Sequence, residues 1–184
     1  MVKQPQITLI GYAGPEEYPA SANIPKYCYE CAESIGYLVG QNKWYLITGG
    51  ESGVMETASR GCKSVGGTTI GVLTGQTRAD SNLYIDIEVI TNAYVTGSTP
   101  TLISMGDIVI VCGGGAGTLQ EIAIAYRLNK PIILMQNTGG WADQLTDQYL
   151  DERKKYSILK AKSPKTCITI CKNILKKLKG GERK

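Results

Sequence analysis

The chain has 184 residues, 42% hydrophobic and 20% charged, with 22 Gly, 6 Cys and neither His nor Phe. That apolar fraction can bury a core, which excludes disorder, collagen and coiled coil, and the missing His excludes imidazole catalysis and His-ligated zinc. The net charge of +4 is uneven: residues 151–184 hold 12 Lys and Arg against 3 Asp and Glu, whereas residues 1–150 hold 8 against 13. An acidic body short of cations has to hold any phosphate mainly on backbone N–H groups. The basic tail reads first as the solvated face of a terminal helix; a nucleic-acid or acidic membrane surface is the alternative, and the nucleic-acid reading lacks aromatic interleaving and a known motif.

Runs rich in Ile, Val and Thr place strands near 6–11, 44–48, 68–73, 85–91, 107–112, 131–135 and 157–162. Helical periodicity falls near 25–41, 53–65, 100–105, 118–128, 141–154 and 164–179, the last being the basic segment. Ser163-Pro164 is an N-cap with Pro at the first helical position, and Gly180-Gly181 stops that helix. The run Ile108-Val109-Ile110-Val111-Cys112 is apolar at every position, as in a parallel strand covered on both faces. With no linker or repeat, residues 1–184 read as a single α/β domain: a doubly wound, mostly parallel, Rossmann-like sheet of about seven strands with helices on both faces. No apolar run approaches the ~20 residues of a membrane span. Met1-Val2-Lys3-Gln4-Pro5-Gln6 leads straight into a strand, so neither a signal peptide nor a membrane is expected. The expectation is a cytoplasmic protein with reduced thiols.

Glycine falls where strands end and helices begin. The loops are Gly11-Tyr12-Ala13-Gly14-Pro15 after strand one, Gly49-Gly50-Glu51-Ser52-Gly53-Val54-Met55 after strand two, and Gly113-Gly114-Gly115-Ala116-Gly117-Thr118 after strand five. Ligands bind at the carboxyl ends of such strands, where the winding reverses, here expected between strands one and four. Glycine lets backbone N–H groups approach an anion, aided by the helix dipole. None of the loops is a Walker motif, and the third lacks the last Gly of the dinucleotide fingerprint. Glu121, three residues after Thr118, is either the far half of a capping box begun by Thr118 or a carboxylate beside a phosphate. Trp141 either stacks on a ring or covers the sheet end. Cys28-x-x-Cys31 lies inside a helix, which argues against a redox pair, and no metal site is expected.

The pair Gly49-Gly50-x-x-Gly53-Val54-Met55-Glu56 and Gly113-Gly114-Gly115-Ala116-Gly117-Thr118-x-x-Glu121 resembles the Lonely Guy superfamily, long labelled "possible lysine decarboxylase". Gly11-Tyr12-Ala13-Gly14-Pro15 and Gly139-Gly140-Trp141 resemble the branch of molybdenum cofactor carrier proteins. The resemblance implies a homo-oligomer, a dimer or tetramer, whose Gly113–Thr118 loop holds a phosphate. In the enzymes of the superfamily, phosphoribohydrolases that cut nucleoside 5′-monophosphates, the residue matching Glu121 is the catalytic acid. Those enzymes also need an Arg where this chain has Ser98, and their motif opens with Pro where this chain has Cys112. The departures favour a carrier of a nucleotide or a molybdenum cofactor over a hydrolase, with no cofactor required for chemistry. The decarboxylase label finds no lysine near a glycine loop; Lys130 sits at the opposite edge.

Overall fold

The structure is a computed structural model that describes residues 3–14, 17–19 and 22–179. In chain order its elements are β1 (Gln6–Gly11), α1 (Lys26–Gln41), β2 (Tyr45–Thr48), α2 (Val54–Lys63), β3 (Thr68–Leu73), a one-turn 3₁₀ helix (Arg78–Asp80) and β4 (Ile87–Ile90). There follow α3 (Tyr94–Met105), β5 (Ile108–Cys112), α4 (Ala116–Arg127), β6 (Ile132–Met135), α5 (Gly140–Gln144), β7 (Leu159–Ala161) and α6 (Pro164–Lys179). The seven strands form one sheet in the order β4-β3-β2-β1-β5-β6-β7, and every pairing is parallel. This is the α/β, Rossmann-like architecture expected from the strand and helix alternation.

The two faces follow from the pleat, which sends successive side chains to opposite sides. Ile108, Ile110 and Cys112 of β5 enter one core with Cys31, Ile35, Ala58 and Cys171 from α1, α2 and α6. Val109 and Val111 enter the other, with Ile103 of α3 and Ile122 and Ala125 of α4. All five residues of β5 are buried, which is why its sequence carries no polar alternation. All six cysteines, Cys28, Cys31, Cys62, Cys112, Cys167 and Cys171, lie in the first core, and all six are free.

Several boundaries move. The winding reverses between β1 and β5, not between strands one and four. β4 pairs only with β3 and leaves Ile87 and Ile90 half exposed, so it is an edge strand, and α3 carries the chain back past β1. α3 starts at Tyr94 rather than Pro100, because Pro100 lies within the helix instead of opening it. α5 stops at Gln144 rather than reaching Lys154. Beyond it the chain is held by other bonds: Asp151 accepts from Arg153 N–H at 3.1 Å and, across to α4, from Tyr126 Oη at 3.3 Å. The Ser163 cap is present, its hydroxyl accepting from Thr166 N–H at 3.2 Å. Gly180-Gly181 lies outside the described residues.

Candidate functional site

The β1–β5 register pairs Gly11 with Cys112, so the first and third glycine loops leave the sheet side by side. The approach is close: a Cβ on Gly11 would lie 2.1 Å from the carbonyl oxygen of Cys112. Above this point a cavity of about 180 Å³ opens, walled by the ends of β1 and β3, by the turns after β2 and β5, and by α2, α3 and α4.

α4 supplies one wall. The helix begins at Ala116 with Gly115 as its N-cap, and no side chain caps it. Its first ladder bond runs from Leu119 N–H to Gly115 O at 3.1 Å, so the N–H groups of Ala116, Gly117 and Thr118 have no partner within the helix. Gly115, Gly117, Thr118 and Glu121 line the cavity. This start corrects the capping-box alternative. Thr118 is inside the first turn, and its hydroxyl donates to Gly11 O at 3.1 Å, pinning the helix to the end of β1. Glu121 therefore has no cap to serve. Its carboxyl retains slight solvent contact at the cavity surface while protein surrounds it. Burial first, and the charge of Glu51 second, push its pKa up to about 8, so the acid form prevails at neutral pH.

Opposite chain segments supply more carboxyl groups. Glu51, in the turn after β2, accepts at 2.9 Å from the hydroxyl of Thr74, just beyond β3. Burial raises its pKa, the Thr74 bond opposes that, and Glu17 and Asp80 add repulsion. Glu17 also lines the cavity, beside Tyr18. No Lys or Arg does. Neither Arg60 nor Arg78 lines it: Arg60 pairs with Glu33 at 3.0 Å across α1 and α2, and Arg78 lies 3.7 Å from Glu88.

The residues singled out in the sequence divide into two groups. Gly11, Gly49, Met55, Ser98, Gly115, Gly117, Thr118 and Glu121 line the cavity. Tyr12, Gly14, Gly50, Gly53, Gly113, Gly114 and Ala116 do not. Tyr12 backs the third loop, since a Cβ on Gly113 would meet its ring at 2.3 Å, and it packs edge-on against Tyr18 at 5.4 Å. The Gly113 N–H is used by the Thr138 hydroxyl at 2.9 Å. Pro15 lies outside the described residues. Trp141 packs on the second core rather than lining the cavity, and its backbone N–H donates to Gly114 O at 3.0 Å. Cys28 and Cys31 are buried in α1, the Cys28 thiol pushed up to about 12 by burial. Lys130 is held away from the cavity, donating to the carbonyls of Ser104 and Gly106 at 2.8 and 2.6 Å.

Sequence reasoning missed Glu17, Glu51 and Thr74. Glu51 carried a readable signal, a lone carboxylate inside a glycine turn. Thr74 carried none, because its relevance depends on β3 standing two strands from β1. Among the described residues no group of three His, Cys, Asp or Glu is arranged to hold a metal ion, and no helix is long and apolar enough to cross a membrane.

A parallel Rossmann-like sheet with a cavity at its reversal defines the general class, and comparison narrows it. The chain belongs to the SLOG cluster4 family, whose model matches residues 4–168. It is 34% identical over 104 residues to an uncharacterised protein of Archaeoglobus fulgidus, covering 56% of this chain and 68% of that one. Among solved structures it is similar to the molybdenum cofactor binding protein of the phototrophic bacterium Rippkaea orientalis: 30% identity, TM-score 0.82, 95% of this chain and 99% of that one. It is also similar to the Moco carrier protein of Chlamydomonas reinhardtii: 27% identity, TM-score 0.79, with the same coverage. The family and these neighbours agree with the branch that the glycine motifs resembled.

Proposed function

We propose that the chain binds and carries a phosphorylated small molecule, a nucleotide or a molybdenum-cofactor-like pterin, with its phosphate on the first-turn N–H groups of α4. The observation that carries this is the uncapped start of α4 opening into the cavity between β1 and β5. Two structural neighbours named for the molybdenum cofactor support it. The residues present suit the organic part of that cofactor. Ala116, Gly117 and Thr118 offer N–H donors to a phosphate, and the carboxyl groups offer partners to ring N–H groups. No thiol lines the cavity, so the chain would hold the cofactor by its pterin and phosphate, leaving the metal-centred chemistry for another protein. At about 180 Å³ the cavity is smaller than the roughly 300–1,000 Å³ usual for small-molecule pockets, so part of such a ligand rests in the open mouth. The protein is further proposed to act as a homo-oligomer, and its six free cysteines suit a reducing compartment such as the cytoplasm.

An NMR titration tests the reading. Addition of AMP or inorganic phosphate shifts the amide resonances of residues 114–118; unchanged resonances at saturating concentration overturn it. A second reading, hydrolysis of a nucleoside monophosphate, is favoured by one observation, a cavity-lining carboxylic acid that stays protonated near neutrality and so can act as a general acid. That no described Lys or Arg lines the cavity weighs against it. Release of ribose 5-phosphate from AMP by the wild type, lost in Glu121→Gln, would establish it.

A further inference from the structure

Glu51 and Glu121 are not explained by a phosphate, which they would repel or ignore. Glu51 is built into place. Thr74 holds one carboxylate oxygen, and the Asn82 side-chain amide donates to Gly50 O and Glu51 O, each at 2.8 Å, locking the turn. One oxygen is thereby oriented and acceptor capacity remains on both. Glu121 has no hydrogen-bond partner among the described residues, yet its carboxyl meets the cavity. Glu121 is only partly buried and no buried side-chain N or O atom among the described residues lacks a partner, so its carboxyl faces solvent in the cavity, where a ligand with a matching group can take the place of that solvent. The two ends of the site are separated by the sheet. β2 and β5 stand two strand spacings apart, about 10 Å, comparable with the extent of a mononucleotide.

The geometry points to a two-ended ligand, in which the N–H groups of Ala116, Gly117 and Thr118 take a phosphate and the Glu51 carboxylate takes a fused 2-amino-4-oxopyrimidine, the ring shared by guanine and pterins. This rests on the phosphate-binding reading above. Such a ring presents a ring N–H and an exocyclic NH₂ side by side, which match the two oxygens of one carboxylate in a bidentate pair. Adenine places a bare acceptor nitrogen beside its NH₂, and a carboxylate repels that nitrogen. Glu121, in its acid form, donates to an oxygen of the same ligand lying between the two ends.

Isothermal titration calorimetry with four probes tests this: GMP, 6-hydroxymethylpterin monophosphate, AMP and ribose 5-phosphate. GMP, the pterin phosphate or both are expected to bind at least tenfold tighter than AMP, and the tighter of the two assigns the ring. In Glu51→Gln the preference over AMP falls below twofold, because an amide accepts only one of the two bonds and adds an opposing N–H. Ribose 5-phosphate binds the variant and the wild type alike, which also shows that the variant is folded. Equal affinity for GMP, the pterin phosphate and AMP overturns the ring assignment and leaves the phosphate reading standing. A preference that survives in Glu51→Gln overturns the role of Glu51. Failure of all four probes, ribose 5-phosphate included, overturns both readings.

Discussion

The turns after β2 and after β5 are both rich in glycine, but they use it for different ends. In the first, the missing side chains make room for the protein itself. A Cβ on Gly53 (φ +72°) would lie 2.3 Å from the carbonyl carbon of Ala13, and one on Gly50 (φ +79°) would lie 2.7 Å from Leu73 Cδ2. In the second, Gly113 and Gly114 are packed in the same way, against Tyr12 and Thr118, but the loop then opens. Among the described residues nothing lies within 4 Å of a Cβ on Gly117. The comparison separates glycine kept for a neighbouring backbone from glycine that leaves space for something else. Composition alone does not make that distinction; the distances do.

Substitutions sharpen or break this contrast. Gly53→Ala should be the most damaging, since it combines a left-handed backbone with a clash against backbone atoms that cannot yield. A loss of roughly 3 kcal/mol or more is expected in denaturant unfolding. A variant as stable as wild type would show that the turn after β2 is no tighter than the one after β5.

Glu121→Gln comes next and carries a pH signature. The folded pKa of about 8 lies above the ordinary carboxylate value, so between about 4.5 and 8 the folded chain holds a proton that the unfolded chain has released. Wild-type stability therefore falls with rising pH across that window and levels off above it. The amide does not titrate, so the variant should match wild type near pH 4. By pH 8 it should be roughly 1–3 kcal/mol more stable, at about 2–4 °C of Tm per kcal/mol. Parallel Tm profiles for the two proteins would refute the raised pKa.

Thr118→Val removes the hydroxyl that ties α4 to Gly11 O, at a cost of about 1 kcal/mol. Because the bond aims the helix start, it should also weaken ribose 5-phosphate binding, measured by calorimetry. The smallest effect belongs to Gly117→Ala, which fills open space within a helical turn. It should stabilise by about 0.5–1 kcal/mol in thermal unfolding while narrowing the cavity and lowering phosphate affinity. Destabilisation there would place Gly117 with Gly53.

What the sequence determined by itself was the layering. Strands such as Ile108–Cys112, apolar at every position, can only be buried on both faces, and the alternation of strand and helix leaves a parallel sheet as the solution. It also marked the β1 and β5 loops and Glu121 as meeting at one sheet edge, where residues of all three line the cavity, because glycine at strand ends is a local signal. Strand order was not local. β4 looked central in the chain but lies at the edge, and only the completed sheet set β1 against β5 and brought Thr74 and Glu51 to the same cavity. The state of Glu121 was likewise decided by the tertiary structure. A carboxyl group takes its charge from the water and the neighbours left around it, and those are fixed only when segments far apart in sequence close over one another.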